Sequence, residues 1–572
     1  MVISNVEIAS IFDQLADLLE IKGENPFKTR AYRNAARTIE NLGTDLRKML
    51  EEGADISQIP TIGEHIALKI KEIIKTGKLA KLEYLKHTFP PHLLDLLKVE
   101  GIGPKRAKVL YRELNISSLE GLKKAAEKHQ ISALKGFSEK LEKKILKGTL
   151  LAKKEGIRFM YSVAEPYAEA LTAYLKNFKE TLQVIVAGSF RRRKETVGDL
   201  DILATSAHPA LLIDYFVQYP DIKEVLSKGD TRSTVILANG MQVDLRCVAK
   251  ESYGAALHYF TGSKSHNIAI RIMARDMGLK VNEYGIFKND EKIAGATEEE
   301  MYETVGLHYI EPELRESRGE HRAAREGRLP ELIRLEDMKG DLHMHTHYSD
   351  GKNSIVEMAE AAKAIGHSYI AITDHSKHLF IVHGMDEKRL REQMEEIDRI
   401  NETLKGIMIL KSIEVDILED GTLALPNTVL KELDLVVGAV HDKFNLSQKM
   451  QTKRILKAMD NPSFNILAHP TGRLIGERAP YKVNMKQLFE GVKERGCFLE
   501  INAQPKRLDL NDIYAKRAKE AGVRFAISTD AHNAASLHYM KYGVYQARRG
   551  WLEKEDVINT LSLGELKKVL RR

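Results

Sequence analysis

Two groups of residues in this sequence have the types and spacing to gather metal ions and move phosphate. The first is Val184–Leu203, VIVAGSFRRRKETVGDLDIL. Its β-branched apolar run reads as a buried strand. A Gly-Ser turn and three arginines follow, and a second strand carries Asp199 and Asp201. Side chains two apart on a strand share a face, so these carboxylates converge and repel unless cations lie between them. Mg²⁺, which takes carboxylates and substrate phosphates together, meets that need. A lone D-x-D would fit a charged surface hairpin equally well. A third carboxylate, Asp244 in the alternating run MQVDLRCV, completes a set: three acids on adjacent strands are the parts of a two-ion phosphoryl-transfer site. Backbone donors of the Gly-Ser turn and the arginines beside it could meet a phosphate.

The second group lies beyond residue 340, where eleven of the twenty histidines fall. Successive apolar runs there end in ligand-type residues. DLHMHTHYSDG brings His343, His345 and Asp350; YIAITDH brings His375; MILKSIEVD brings Glu414. LVVGAVH brings His441, FNILAH brings His469, and FAISTDAH brings Asp530 and His532. FLEIN, ending at Asn502, reads as a strand with no obvious ligand. The intervals between these runs are 27 to 39 residues, one strand, one helix and their loops. Seven such units make a (β/α) barrel, whose active sites form at the C-terminal ends of the strands. Nine imidazole and carboxylate ligands with almost no sulfur suit two or three Zn²⁺, Mn²⁺ or Fe ions. His347, His367, His378, His383 and His538 read as surface or satisfied core residues.

The elements that position these residues belong to a chain of 572 residues, too long for one core. It is 43% hydrophobic and 30% charged, as soluble globular proteins are. No apolar run reaches membrane-spanning length and no signal peptide is legible, which points to a cytoplasmic protein. Cys247 and Cys497 read as buried thiols of a reducing compartment. Residues 1–150 carry 26 Lys or Arg against 20 Asp or Glu, most of the net charge of +7, and so are suited to a polyanion. They are patterned as helices, broken at Gly23–Pro26, Gly43, Gly53 and Gly63 and closed at Gly77. IPTIGEHIALKIKEII, from Ile59, and VEGIGPKRAKVL, from Val99, share one form: a glycine turn, then an amphipathic helix. In a helix-hairpin-helix of this kind backbone amides approach a DNA phosphate without reading sequence. A third copy, LKGFSEKLEKKIL from Leu134, reads as a plain hairpin. From about Gly148 the texture becomes mixed, with strands expected at Val184–Ala187, Asp201–Ala204, Ser233–Leu237 and Gln242–Val248. HYFTGSKSHNIAIRIMARDMG then places Asn267 and Arg271 on one helix face. Residues 312–338 are highly charged and read as a linker.

The motifs GSFRRRKETVGDLD, VDLR and YFTGS, preceded by two helix-hairpin-helix turns, closely resemble the family X DNA polymerases, over about residues 1–315. The resemblance implies a lyase-like helical domain with the first helix-hairpin-helix (1–88), fingers with the second (89–148), a nucleotidyltransferase palm with a mixed sheet (149–252) and a thumb (253–315). It implies Mg²⁺ (or Mn²⁺) on Asp199, Asp201 and Asp244, and a nucleotide triphosphate on Gly188, Ser189, Arg192 and Gly198. Tyr259, Phe260 and Gly262 would line its sugar, while Asn267 and Arg271 would face the minor groove. Lys69 matches the family's Schiff-base lysine, and Lys28 and Tyr32 its phosphate pocket. Gly63, Gly101, Gly103, Lys105 and Lys108 would meet the DNA backbone. Three positions depart from the pattern: His65 replaces a pocket lysine, Gln242 an arginine beside the third aspartate, and Lys264 an acid near the base.

Beyond a linker at 316–338, the order H-x-H, D, T-D-H, E, H, H, D-x-H resembles the PHP (polymerase and histidinol phosphatase) family over 339–572. That resemblance implies a distorted (β/α)7 barrel that hydrolyses phosphate esters with a metal-bound hydroxide. Joined to a polymerase, its expected substrate is a DNA phosphodiester, cut as a 3′→5′ exonuclease or an endonuclease at abasic sites, or a 3′-phosphate. The whole reads as a multidomain α/β repair enzyme, a DNA-directed DNA polymerase filling short gaps in base excision repair. Its expected partners are gapped or nicked DNA and deoxynucleoside triphosphates, with no membrane and a monomeric state. Two other readings remain open at this point. One is a template-independent nucleotidyltransferase; the other is a DNA-binding scaffold whose barrel acts on another phosphate ester.

Overall fold

The computed structural model describes residues 5–40, 42, 46–51, 53–99, 101–152, 158–378 and 382–571. Gly43, read as a helix break, lies outside them. The chain forms two compact units, one of residues 1–159, 163–192 and 196–329, the other of residues 160–162, 193–195 and 330–572.

The first unit begins with helices at Asn5–Lys22, Pro26–Glu40, Glu64–Thr76 and Ala80–Thr88. Apolar positions three and four apart put Phe12, Leu19, Ile39, Ile70 and Leu82 into one core. Gly77 ends the third of these helices as expected: at φ +74° its N–H donates to Ile73 O. Helices Pro104–Leu114, Leu119–Glu127 and Glu139–Ala152 close a second core that includes Leu93, Leu110, Leu122 and Ile145. The degenerate third copy thus ends in a full helix.

A mixed five-stranded sheet follows: β1 (Thr181–Val186), β2 (Asp199–Ser206), β3 (Ile222–Lys228), β4 (Arg232–Leu237) and β5 (Gln242–Cys247). Its order is β1-β2-β5-β4-β3, parallel only between β2 and β5. β3 was not anticipated, because IKEVLSK is an edge strand with mostly exposed side chains and carries no alternating apolar face. The expected Gly-Ser turn is a single helical turn, Gly188–Arg191. Cys247 is a buried free thiol, as is Cys497 in the other unit.

The charged stretch after residue 312 differs from a linker. Arg315 and Glu320 are fully buried. Arg315 donates to Glu298 Oε1 (2.5 Å) and Ile310 O (2.8 Å), and Glu298 also takes both guanidinium nitrogens of Arg191. Glu320 accepts from His266 Nδ1 (2.9 Å) and from the backbone N–H groups of Ser317 and Arg318. The charges look solvated in sequence because their partners are distant along the chain. Burial holds His266 at about 4 and lowers His258 and His321. A histidine whose folded value lies below its unfolded value of about 6.5 takes up protons on unfolding. Its contribution is therefore complete above about pH 6.5 and falls as the pH drops toward 4. The melting temperature should decline over that window, and less steeply in His266→Gln; equal slopes in thermal melts of the two proteins would refute this.

The second unit is a seven-stranded parallel barrel: β6 (Gly340–Met344), β7 (Tyr369–Ile372), β8 (Met408–Asp416), β9 (Leu435–Ala439), β10 (Ile466–Leu467), β11 (Phe498–Asn502) and β12 (Phe525–Ser528). The strands pair in chain order. The first and last approach where Asp530 N donates to His343 O (2.9 Å) and His345 N to Ala531 O (2.8 Å), nearly closing the barrel. Almost every strand residue is buried on both faces, as parallel strands wrapped by helices are. The wrapping helices begin at side-chain caps, such as Ser354 with Glu357 in a reciprocal box and Asn511 on Tyr514 N. Strand ends are thereby held in one ring. No helix among the described residues is long and apolar enough to cross a membrane.

Candidate metal centres

In the mixed sheet, parallel pairing sets Asp201 directly opposite Asp244, and Asp199 opposite Gln242. One oxygen from each of Asp199, Asp201 and Asp244 lies within 4.8 Å of the others. Burial, then Asp199 and Asp244, push Asp201 up to about 7; burial and Asp244 raise Asp199. Such mutual repulsion is what cations between the groups would relieve. Gln242 Nε2 donates to Asp244 Oδ2 (2.6 Å) and the Thr234 hydroxyl donates to the other oxygen. The residue in the arginine's place thus still orients the third acid.

Gly188 has φ +61°, and a Cβ there would overlap Asp201 Oδ2. Gly198 is different, since its nearest neighbour, Arg158 Nη1, lies at ordinary contact distance, 3.6 Å. Gly188→Ala should therefore cost roughly 1–3 kcal/mol of local strain, lowering kcat/KM for nucleotide addition roughly 10- to 100-fold. Gly198→Ala should leave it nearly unchanged. Steady-state primer extension by the two variants checks this, and equal losses would refute the steric assignment.

Around this centre the expected nucleotide residues come together. Ser189 is half-buried in the turn after Gly188. Arg192 donates to Thr261 O and pairs with Glu316 through Nε (3.1 Å). Gly262, at φ +68°, lies where a Cβ would press on Arg192 Nη1 at 3.2 Å. Phe260 borders the same small cavity as Asp201 and Asp244, beneath the guanidinium of Arg246 at 4.6 Å. Asn267 Nδ2 donates to Tyr259 O (2.7 Å) while its Oδ1 is buried without a hydrogen-bond partner. Arg271 stacks on the Tyr259 ring at 5.3 Å. Lys264 is exposed.

In the helical region Gly63 and Gly103 are the N-cap residues of their helices and leave the first amides without a side-chain cap. Gly101 has φ +91°, and Lys105 is exposed. The Lys108 amine lies beside Gly23, at the end of the first helix. Lys69 is half-buried, its amine 3.4 Å from His65 O. Tyr32 is buried and stacked on Phe12, and Lys28 lies 3.7 Å from Glu24. Sequence reasoning missed Lys81, whose amine is held below its usual value by burial and by Lys28 and Lys69 nearby. Its signal, one lysine on a lysine-rich helix, was too common to read.

All nine expected barrel ligands converge. Imidazole lone pairs lie in the ring plane, so two near-parallel stacked rings do not aim at one ion. His345 stacks on His375 (4.4 Å, 28°) and on His532 (4.3 Å, 28°). It instead points Nε2 toward His343 Nε2 (3.2 Å) and Asp530 Oδ1 (3.1 Å). His375 and His532 are inclined at 50° and flank Asp350 at 3.7 and 3.3 Å. His441 and His469 are inclined at 56° and approach Glu414 Oε1 at 3.3 and 2.9 Å. The ligands therefore sort into three groups. Glu414 Oε2 also lies 2.8 Å from His375 Nδ1, yet both atoms lack a hydrogen-bond partner. Close donor atoms that do not hydrogen-bond to one another fit the ligand shell of an ion. Burial would raise Glu414, but His441, His375 and His343 outweigh it and hold the carboxylate well below its usual range. Burial and the neighbouring His532 and His375 hold His345 at about 3, as a neutral ligand.

Two buried carboxylates behind the ligands were not anticipated. Asp416 accepts from His441 Nδ1 (2.8 Å), and Glu500, in FLEIN, from His343 Nδ1 (2.7 Å). His347, His367, His378, His383 and His538 belong to none of the ligand groups.

A nucleotidyltransferase sheet with three acids, behind helix-hairpin-helix elements and ahead of a histidine-rich barrel, defines a two-centre enzyme of phosphate chemistry. Family models match in the same order: helix-hairpin-helix at 3–79, a SAM-like helix-hairpin-helix tandem at 93–148, DNA polymerase beta palm at 162–213, DNA polymerase beta thumb at 256–316 and PHP domain at 341–504. The chain belongs to the family X DNA polymerases that carry a C-terminal PHP domain. It is 40% identical to the DNA polymerase/3′-5′ exonuclease PolX of Bacillus subtilis (strain 168) over 570 residues, 99% of each chain. The barrel half is similar to a protein of Thermoanaerobacter sp. (strain X514) described as "Probable phosphatase", 32% identical over 41% of this chain and 96% of that one. DNA polymerase lambda of Rattus norvegicus is 24% identical over 54% of this chain and 56% of its own.

Proposed function

We propose that this protein fills short gaps in damaged duplex DNA with its N-terminal half and trims 3′ ends with its barrel. The observation that carries this reading is that two separate sets of convergent ligands lie in a chain similar to the DNA polymerase/3′-5′ exonuclease PolX along its whole length.

Asp199, Asp201 and Asp244 would hold two Mg²⁺ or Mn²⁺ ions, and their crowding supports the fit. Such ions, when bound, activate the attacking 3′-hydroxyl and steady the leaving pyrophosphate. Gln242 and Thr234 keep Asp244 turned toward its partners, and Gly188 lets Asp201 press against the phosphate-binding turn. Ser189, Arg192 and Gly198 bind the triphosphate, with Arg192 exchanging Glu316 for a phosphate oxygen. Tyr259, Phe260 and Gly262 wall the sugar, and Asn267 and Arg271 face the minor groove. The amides at Gly63, Gly101 and Gly103, with Lys105, grip the duplex on either side of the gap. Lys28, Lys69 and Lys81 lie near one another, with Tyr32 beside Lys28, and a lysine amine there could condense with a deoxyribose aldehyde, forming an imine and releasing water.

In the barrel, His343, His345 and Asp530 would hold one ion, Asp350, His375 and His532 a second, and Glu414, His441 and His469 a third. Zn²⁺, Mn²⁺ and Fe all suit these donors, and bound ions supply a hydroxide nucleophile at neutral pH. Arg507, 3.3 Å from Asp530 Oδ2, can meet a phosphate oxygen at the rim. The likeness to a relative described as "Probable phosphatase" supports a second reading of this half, removal of a 3′-phosphate; cleavage at an abasic site would use the same chemistry on a phosphodiester. The test uses gapped, single-stranded, abasic and 3′-phosphorylated DNA with Mg²⁺ or Mn²⁺ and all four deoxynucleoside triphosphates. Preferred extension at the gap and loss of nucleotides from 3′ ends are expected. Equal extension of a bare single strand would favour a template-independent transferase.

A further inference from the structure

Glu500 is fully buried in β11 and belongs to none of the ligand groups. Both of its oxygens are nevertheless committed to the metal-binding residues. Oε1 accepts from His343 Nδ1 (2.7 Å), while Oε2 accepts from the backbone N–H of His469 (2.7 Å) and from Asn502 Nδ2 (3.0 Å). Asn502 Nδ2 lies also 3.1 Å from Asp530 Oδ2. One carboxylate thus touches, directly or through one amide, ligands on β6 and just past β10 and β12.

Resting on the reading of the barrel as a metal centre, we propose that Glu500 is its positioning residue. The carboxylate fixes the tautomer of His343, keeping the proton on Nδ1 and the lone pair on Nε2, which faces His345 and Glu414. A carboxylate behind a ligating imidazole also increases the basicity of its free nitrogen. The same group holds the backbone of His469, whose φ of +26° is unfavourable for a side-chain-bearing residue. Glu500 therefore serves two of the three ligand groups without contacting an ion. A glutamine of the same shape cannot do this: it has one accepting oxygen for donors on two sides, and its NH₂ must confront either His343 Nδ1–H or the His469 N–H.

The test titrates Mn²⁺ into the metal-stripped full chain, comparing wild type with Glu500→Gln and Glu500→Asp, with thermal melts and primer extension on the same preparations. Glu500→Gln should bind at least one barrel ion roughly 10- to 100-fold more weakly. Its nuclease activity should return toward the wild-type kcat at saturating Mn²⁺, and primer extension should be unchanged. Glu500→Asp, which keeps the charge, should fall between. Wild-type affinity in Glu500→Gln would overturn the proposal, and so would nuclease loss with every ion bound. If Glu500→Gln melts early, the ranking of Glu500→Asp decides alone, and wild-type affinity there refutes the role. A wild-type barrel that takes up no metal would instead overturn the underlying reading.

Discussion

Asp201→Ala is expected to lower primer extension at least about a thousandfold while leaving degradation of 3′ ends unchanged. An ion at a reacting phosphate supplies several kcal/mol of charge stabilisation, and about 4 kcal/mol corresponds to a thousandfold. Asp201 is the acid that the register places against Asp244 while Asp199 lies two residues away on its own strand, so its loss leaves no three-carboxylate site. The variant has a second signature. Asp201 titrates at about 7 because burial and two like charges oppose its ionisation. An acid whose folded value is raised binds more protons in the folded state, so its ionisation costs stability as the pH climbs from about 4 through 7. Metal-stripped Asp201→Ala should therefore melt at or above the wild-type temperature at pH 8. A protein less stable than wild type and still able to extend primers would mean that Asp201 is a structural residue.

The centres were legible in the sequence because their ligands obey local rules. Two acids two apart on one strand must share a face, and ligands at the ends of evenly spaced apolar runs must share one rim of a barrel. Glu414 and Asp350, 64 residues apart in sequence, could be assigned to one site from that spacing alone. What escaped were residues whose roles come from partners remote in sequence. Glu500 meets His343 across 157 residues, and within FLEIN it looks like any acid on a strand. Arg315 and Glu320 sit in a stretch too charged to look like core. Glu298, brought in by the fold, neutralises Arg315, while His266 and two backbone N–H groups hydrogen-bond Glu320. The single helical turn at Gly188–Arg191 was missed for the opposite reason: it is too short for any periodicity to show.

Glu414→Gln should abolish nuclease activity, by about a thousandfold or more on the same arithmetic, and should strip the barrel of most of its metal. Among the described residues, Glu414 is the one carboxylate that approaches five imidazoles: His469 and His441 on one oxygen, at 2.9 and 3.3 Å, and His375, His343 and His345 on the other, at 2.8, 3.6 and 3.8 Å. It touches all three ligand groups, so its charge cannot be replaced by any one neighbour. Here the stability effect has the opposite sign to that at Asp201. The imidazoles hold Glu414 well below its usual range. An acid of lowered pKa adds stability above its unfolded value of about 4.5 and loses it as the pH falls further. Metal-stripped Glu414→Gln should then melt below wild type at pH 7, whereas Asp201→Ala should not. The contrast follows from composition. The polymerising centre is built of acids alone and is strained until cations arrive, while the barrel centre mixes acids with imidazoles and is largely self-neutralised. Removing metal with a chelator should accordingly raise the sensitivity of the acid cluster to alkaline pH and that of the barrel to acid. Parallel pH series of melts on the two variants, before and after chelation, would expose a shared sign and refute this distinction.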